Sequence, residues 1–296
     1  MAQAIRSGIR SRAWSCALLL LALAAPAPAL DAGTVKGKFE VDGKPVELKY
    51  AYAYLHDNAE GILRHPRELR ILMTDREVSP NVLRGGIFLP VENLAMEDRV
   101  RGLMFIMDPS KPNAIVSVLL ARPKEEGSSL FRTNHFTEGK PLFKQWNFSK
   151  QRVMGEIERS DDPSQLIPER PTSSFALEFS APIFNEPAIT ADLKGPAART
   201  SPQAKVIAET ARLLAAGNID GARKLQSVRA NKQFDVAVKL QGAEVLKQAK
   251  AGGAEMRKAL TRLQRVVVRG DRAVAMVSKN EWFDLVKEDG KWKMDF

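Results

Sequence analysis

Few side chains in this sequence have the types and spacing that catalysis or metal binding requires. His56, Asp57, Glu60 and His65 are close together in the sequence and belong to the residue types that bind metal ions. A glycine and a proline interrupt the segment, and its spacing fits neither a helix face nor a strand face. We therefore interpret both histidines as loop residues and predict no metal site.

The last third of the chain contains no histidine, because the third one, His135, also lies upstream. Asp235 and Asp284 are the carboxylates that we consider for a pocket, although a single carboxylate is equally consistent with a solvated strand or loop. The sequence has no phosphate-binding glycine loop, dinucleotide motif, nucleophilic serine elbow or zinc-protease motif. We predict no catalytic residue and no cofactor.

The first 29 residues have the pattern of a secretory signal peptide. Arginines precede an apolar run over residues 13–25, and small residues ending at Ala29 follow it. The run is shorter than the roughly 20 residues that span a bilayer. Cys16, the single cysteine, lies within it, so the mature chain would have no disulfide. We expect cleavage after Ala29 and a periplasmic or secreted bacterial protein that is not transmembrane.

Positive charge is concentrated in the C-terminal third. Residues 200–296 contain 19 Lys and Arg against 11 Asp and Glu, whereas residues 30–199 contain 23 against 24. A solvated helix face is one interpretation, and an anionic partner is the other. The candidates for partner contact are Lys247, Lys250, Lys258 and Arg265. The partner would be an anionic lipid, a polysaccharide or an acidic protein, and we do not expect nucleic acid.

Residues 30–188 read as an all-β sandwich. Apolar residues alternate from Val35 to Tyr54, which predicts a hairpin with all three tyrosines on one strand face. That face is either packed in the core or a ligand platform. Helical crossovers are missing, so a parallel sheet is not expected. Further strand-like runs occupy residues 69–74, 100–107, 114–121, 152–158 and 175–179.

Residues 189–202 are rich in Pro, Ala, Gly and Thr, which predicts a linker with few long-range contacts. A second domain then covers residues 203–296. Its first helix begins after the N-cap Ser201, and the next runs over 219–228. A third is expected over 237–249, interrupted by Gly242 and ended before the glycine pair at 252–253. An antiparallel meander follows from Val266.

The closing hairpin allows two strand registers. A two-residue Asp289-Gly290 turn places Asp284 opposite Asp295. A three-residue loop that also includes Glu288 instead pairs Val286 with Trp292 and Trp282 with Phe296, and we favour this second register. Strand 281–287 is then apolar on both faces and should lie inside the sheet. The candidates for ligand binding are Trp282, Asp284, Trp292 and Phe296, although aromatics at alternating positions also suit a core.

Three segments resemble the nuclear-transport-factor-2-like superfamily, including its polyketide-cyclase-like members. They are Ala215-Ala-Gly-Asn-Ile-Asp-Gly-Ala222, Arg269-Gly-Asp-Arg-Ala-Val274 and Val286-Lys-Glu-Asp-Gly-Lys-Trp292. The resemblance covers about the last third of the chain. It implies a curved sheet wrapped by helices into a cone with a pocket, a fold that serves enzymes, ligand binders and assembly modules. Enzymes of the family usually use an Asp-His pair, which this part of the chain lacks.

The N-terminal part loosely resembles β-rich domains of uncharacterised exported bacterial proteins. The fold class predicted for the whole chain is two domains, an all-β sandwich followed by a cone-like α+β domain. The function that these observations favour is an exported, non-catalytic binding or assembly protein that contacts an anionic or amphipathic partner. The alternative is a periplasmic hydrolase or isomerase with an unrecognised pocket site.

Overall fold

A computed structural model describes residues 32–84, 90–120, 142–160 and 172–295. Its described residues form two sheets, mostly antiparallel, and six α-helices. The predicted signal peptide, residues 1–29, lies outside the described residues. Among the described residues, no helix is both long enough and apolar enough to cross a bilayer.

The first sheet contains nine strands in the order β6-β5-β4-β3-β1-β9-β8-β7, with the short β2 beside β1. The 13-residue β9 pairs with β1 and β8 and makes a parallel contact with β3, so the sheet curls into a half-barrel. The strands are β1 Gly33–Val41, β2 Lys44–Pro45, β3 Tyr50–Asp57, β4 Arg67–Thr74, β5 Gly102–Asp108, β6 Lys111–Leu119, β7 Phe143–Phe148, β8 Arg152–Ser160 and β9 Ser173–Asn185.

One curled sheet therefore takes the place of the predicted sandwich. The predicted strand segments are present, but β1 pairs along most of its length with β9 and contacts β3 only at its first residues. Phe39, Phe105 and Phe179 belong to the apolar cluster on one face of the sheet. Tyr52 and Tyr54 belong to the cluster on the opposite face, together with residues of the 3₁₀ helix Pro80–Leu83 and of helix α1, Pro90–Met96. Alternation identifies strands, but it does not identify their partners.

The second sheet has the order β10-β11-β12-β13-β14, and helices cover one of its faces. The order of β11 to β14 confirms the predicted antiparallel meander. Strand β13 lies inside the sheet, and β14 is at an edge. The strands are β10 Ala191–Lys194, β11 Arg265–Arg269, β12 Arg272–Ser278, β13 Glu281–Glu288 and β14 Lys291–Met294. The helices are α2 Pro196–Thr200, α3 Pro202–Ala215, α4 Ile219–Arg223, α5 Val228–Gln241 and α6 Ala243–Thr261.

Two glycine positions correct the predicted third helix. Gly242, with a φ of 61°, separates α5 from α6, because the left-handed region suits glycine and ends a helix. Gly253 lies inside α6 rather than after it. A Cβ at Gly253 would come 2.5 Å from the backbone nitrogen of Ala215, so glycine there permits the close packing of α6 against α3.

The segment predicted as a linker is ordered and contains both β10 and α2. Because β10 pairs with β11, the prediction that this segment carries few long-range contacts is wrong. Residues 32–296 group into one compact unit, so the division into two domains at 188 and 203 is not confirmed. Separate folding of the two parts stays a prediction.

The closing hairpin has the register that we did not favour. Asp289 and Gly290 both have positive φ, 50° and 74°, as a two-residue turn requires, and Leu285 pairs with Met294. The backbone nitrogen of Asp295 donates to the carbonyl of Asp284 at 2.9 Å, so the two carboxylates are opposite each other. Arg229 and Arg272, distant in the sequence, bond to Asp295 and compensate its charge.

Candidate functional site at the junction of the two sheets

The face of the second sheet that points away from the helices contacts the first sheet. Alternation places Arg265 and Arg269 of β11 on this face, together with Arg272 of β12 and Asp284 of β13. Opposite them lie the end of β3, the loop 58–66 and the residues that follow β9. We call this region the junction.

Two arginines bind the two sheets together. The Arg269 guanidinium donates to Glu60 Oε1 at 2.9 Å, to the carbonyl of Pro187 at 2.8 Å and to the carbonyl of Asp57 at 3.1 Å. Arg265 donates to both carboxylate oxygens of Asp192, at 2.7 and 3.0 Å, and to a loop carbonyl. Three of the Arg265 donors are therefore engaged inside the protein, and its contact with an external partner stays a prediction.

His56 is buried at the end of β3 and is paired with a carboxylate. Its Nδ1 lies 2.6 Å from Glu186 Oε2, and its Nε2 lies 3.3 Å from the carbonyl oxygen of Leu83. Burial lowers the pKa of His56, and Glu186 opposes this effect. Burial would raise the pKa of Glu186, but His56 and the nearby Arg84 and Arg269 hold it below its usual value. A neutral imidazole has one N–H, so His56 can donate to only one of these two oxygens, and both ring nitrogens face protein oxygens rather than the open part of the cavity.

Unpaired polar atoms lie beside this pair. The buried hydroxyl of Tyr54, the Nε and Nη2 atoms of Arg84 and Oε2 of Glu186 make no hydrogen bond of good geometry within the described residues, although the Arg84 side chain is near enough to Tyr54 to lower its pKa. Arg84 Nη2 is 3.8 Å from a carboxylate oxygen of Asp271. Burial, with a contribution from Glu186, raises the pKa of Tyr54. Buried donors without acceptors are costly, which makes this corner of the junction unusual.

The pKa values of Asp284 and Asp295 are shifted in opposite directions. Burial raises the pKa of Asp284 to about 6; Arg272 opposes the shift and the neighbouring Asp295 adds to it. Burial acts on Asp295 too, but hydrogen bonds from Arg229 and Ser227 and the nearby Arg272 hold its pKa below the usual value. The charge of Asp295 is thus compensated, whereas Asp284 favours its protonated form more than an ordinary aspartate does.

A cavity of about 50 Å³ opens between these groups. A cavity of this size accommodates a few water molecules or a ligand group of a few atoms. Loop 58–66 and strands β11 and β12 contribute apolar walls. Within the described part of the chain, no cluster of three His, Cys, Asp or Glu side chains could hold a metal ion. The polar lining residues are His56, Glu60, Glu186, Arg269, Arg272 and Asp284.

The structure brings together only part of the predicted ligand set. Asp284 lines the cavity, and the Trp282 side chain, on the same strand face, forms a hydrogen bond to it. Trp292 is half-buried on the opposite face, where it packs against the apolar cluster under the helices and pairs with Lys287. Phe296 lies outside the described residues. The other carboxylate that we considered, Asp235, is exposed and forms an ion pair with an arginine of α4.

Sequence reasoning missed the partners of His56. The alternation of the tyrosines in β3 continues to His56, which could have placed this histidine on the buried face. Nothing near Glu186, Arg84 or Arg272 in the sequence indicates that they meet it.

The predicted basic contact residues of α6 are exposed. Lys247, Lys250 and Lys258 all lie on its outer side, and Lys258 forms an ion pair with Glu255 at 2.7 Å. Sequence reasoning did not select Lys232 and Lys239, which are exposed on the neighbouring α5. The α5 and α6 surface is the second candidate site.

The chain matches no family model, no curated protein and no solved structure. The resemblance to the nuclear-transport-factor-2-like superfamily therefore stays a prediction, and the function must be argued from the two sites themselves.

Proposed function

We propose that this protein is an exported, non-catalytic binding protein that contacts an anionic lipid surface through helices α5 and α6. The main observation in support is that exposed lysines and exposed apolar residues lie together on the outer sides of these two helices. The proposal includes export, which is supported by the pattern of the first 29 residues.

Charge favours an anionic surface over a neutral one. Lys232 and Lys239 on α5, and Lys247, Lys250 and Arg257 on α6, are exposed. Within the described residues, none of them has an ion-pair partner, in contrast to Lys258. Each Lys or Arg close to an anionic membrane contributes about 1 kcal/mol to binding at moderate ionic strength.

Apolar side chains on the same stripes favour lipid over a polysaccharide. Val228 and Val236 are 62% and 46% exposed, and their spacing places them on the side of α5 that carries Lys232. On α6, Leu246 is 41% exposed and shares a side with Lys250. Helices that combine basic and apolar residues in this way lie in the interface of a bilayer. A soluble polyanion would have no use for the apolar side chains.

Vesicle co-sedimentation tests the proposal. The purified protein should bind vesicles of phosphatidylglycerol and phosphatidylcholine, and its binding should fall steeply as salt rises, because charges are screened over about 8 to 10 Å at 0.1–0.15 M salt. A variant with Lys232, Lys239, Lys247 and Lys250 changed to Gln should bind at least about tenfold more weakly.

The matched control removes four exposed lysines from the first sheet and its loops. Lys36, Lys38, Lys44 and Lys150 changed to Gln alter the net charge equally, and vesicle binding should stay close to that of the unchanged protein. Val228→Ser with Val236→Ser should weaken vesicle binding but leave retention on heparin unchanged. If both lysine variants lost binding equally, general charge would explain the attraction and the proposal would be wrong.

One observation favours the second candidate, a periplasmic hydrolase or isomerase. Asp284 lines a cavity and has a pKa of about 6, as a general acid near neutral pH needs. Among the described residues His56 is not placed as a partner base, since both of its ring nitrogens face oxygen atoms of the protein. We therefore favour binding over catalysis at this cavity.

A further inference from the structure

We propose that the junction cavity binds the carboxylate group of a small organic acid, with Arg272 as the donor and Asp284 beside it. This site is separate from the α5 and α6 surface, and its test does not depend on lipid binding.

The first support is that one guanidinium group at the cavity has donors without acceptors among the described residues. Arg272 lines the cavity, and within the described residues its side chain has one hydrogen bond, a long one of 3.4 Å to Asp295. Arg84 and Tyr54 do not line the cavity, but both interact electrostatically with Glu186, which does. A guanidinium group presents its N–H donors as a planar fork that fits a carboxylate. In contrast, Arg269 uses its donors on the protein and holds the cavity wall.

The second support is the charge of the groups that surround Asp284. Arg265 is neutralised by Asp192, which accepts two hydrogen bonds from it; of the other groups, four guanidinium groups are buried or largely shielded and three carboxylates oppose them when Asp284 is protonated, which leaves one positive charge. The carboxylates of Asp57 and Asp271 are 68% and 60% exposed, so solvent screens them. The shielded arginines are Arg84, Arg229, Arg269 and Arg272, and the shielded carboxylates are Glu60, Glu186 and Asp295.

One negative charge on the ligand therefore neutralises the junction when Asp284 carries its proton. Loss of that proton removes the excess positive charge and places an anion beside the ligand. A phosphate group is larger than a carboxylate and above about pH 6 carries a second negative charge, which makes it a poorer fit for a cavity of about 50 Å³. Binding should consequently strengthen as the pH falls through the pKa of Asp284, about 6.

The experiment is an NMR titration of the purified protein at constant ionic strength. The reporter is the indole N–H of Trp282, which interacts with Asp284 and can be assigned with a Trp282→Phe variant. The probes are acetate, propionate, acetamide, methylammonium and inorganic phosphate. A ligand of this size should have a dissociation constant of about 1 to 10 mM. With affinity expressed for the ionised form of the ligand, we expect propionate or acetate to bind about tenfold more tightly at pH 5 than at pH 7.

Three variants separate the roles of the residues. Asp284→Asn should retain binding but lose most of its pH dependence, because the amide cannot ionise. Arg272→Gln should weaken acetate binding at pH 5 at least about tenfold. Lys205→Gln, which removes an exposed charge on α3, should change nothing. Circular dichroism checks that each variant is folded, and the Asp284→Asn result stands even if the arginine variant does not fold.

Preference for methylammonium, or binding that strengthens as the pH rises, would overturn the proposal. Equal binding of acetate and acetamide would also contradict it, because the charge of the ligand would then have no role. Tighter binding of phosphate than of acetate would assign the site to a different anion. Absence of any shift at pH 5 would leave the unpaired donors as a structural feature and refute the site.

Discussion

The two faces of the second sheet are built from alternate residues of the same strands, yet they differ in chemistry. Toward the helices, Val266, Leu285 and Met294 are completely buried in an apolar cluster. Toward the junction, the same strands present Arg269, Asp284 and other charged groups. Burial of the first face stabilises the folded protein. On the second face, ion pairs and hydrogen bonds must offset the cost of removing charged groups from water. A charged face that gains little stability is the place to expect function.

The largest expected effect lies on the apolar face. Leu285→Ala should lower the free energy of unfolding by about 3 to 5 kcal/mol, because it leaves a cavity in a fully buried cluster. Urea unfolding measures the change. Val286→Ala, one residue along β13 and half-buried on the other face, should cost less than about half as much. Equal losses of stability would mean that the two faces are equally well packed, which would contradict the difference between them.

Breaking the junction is expected to cost somewhat less. Arg269→Met should destabilise the protein by about 2 to 4 kcal/mol, since it leaves the shielded carboxylate of Glu60 without its partner. Adding Glu60→Gln should recover part of that loss, as removal of both charges relieves the unpaired one. Thermal and urea unfolding of the single and double variants check this, and a double variant less stable than Arg269→Met would contradict the pairing.

The contrast also explains what sequence could predict. Alternation in β3 and in β11 to β13 identifies strands, since period two needs only local information. Ser201 predicts the start of α3, where its side chain accepts a hydrogen bond from the backbone of Ala204. These are local rules, and the structure agrees with them.

The wrong predictions concern positions whose structure depends on contacts between residues distant in the sequence. Asp284 lies opposite Asp295, whose charge Arg229 and Arg272 compensate, and no local rule links these positions. Gly253 reads as a helix end, but close packing of α6 on α3 keeps it inside the helix. The junction was missed for the same reason, since His56 and Glu186 are separated by 129 intervening residues and meet only in the fold.

Trp292 tests the boundary between the faces. It packs with the helix-side cluster but is only half-buried, so Trp292→Ala should cost about 2 kcal/mol, less than a fully buried aromatic. The variant should leave the acetate titration unchanged, because Trp292 points away from the cavity. Denaturant unfolding and the titration together check the assignment. Loss of acetate binding with little loss of stability would move Trp292 to the ligand side.

The smallest effect should be a gain in stability. The folded-state pKa of Asp284 is raised from 3.8 to about 6, so the folded protein binds a proton more tightly than the unfolded chain. The cost of ionising Asp284 is therefore absent below pH 4, grows between pH 4 and 6, and is complete above pH 6. At about 1.4 kcal/mol per pKa unit its upper limit is about 3 kcal/mol.

Asp284→Asn removes this cost but also weakens the interactions with Arg272 and Trp282. We therefore expect it to stabilise the protein by about 1 to 2 kcal/mol at pH 7.5 and to have almost no effect at pH 4. Urea unfolding at both pH values measures the difference, and Asp235→Asn, at an exposed carboxylate, is the matched control. A stabilisation that is the same at both pH values would show that ionisation of Asp284 is not its cause. A pH-dependent gain would mean that the chain retains at this cavity a carboxylate that lowers its own stability at neutral pH, as a group kept for binding would.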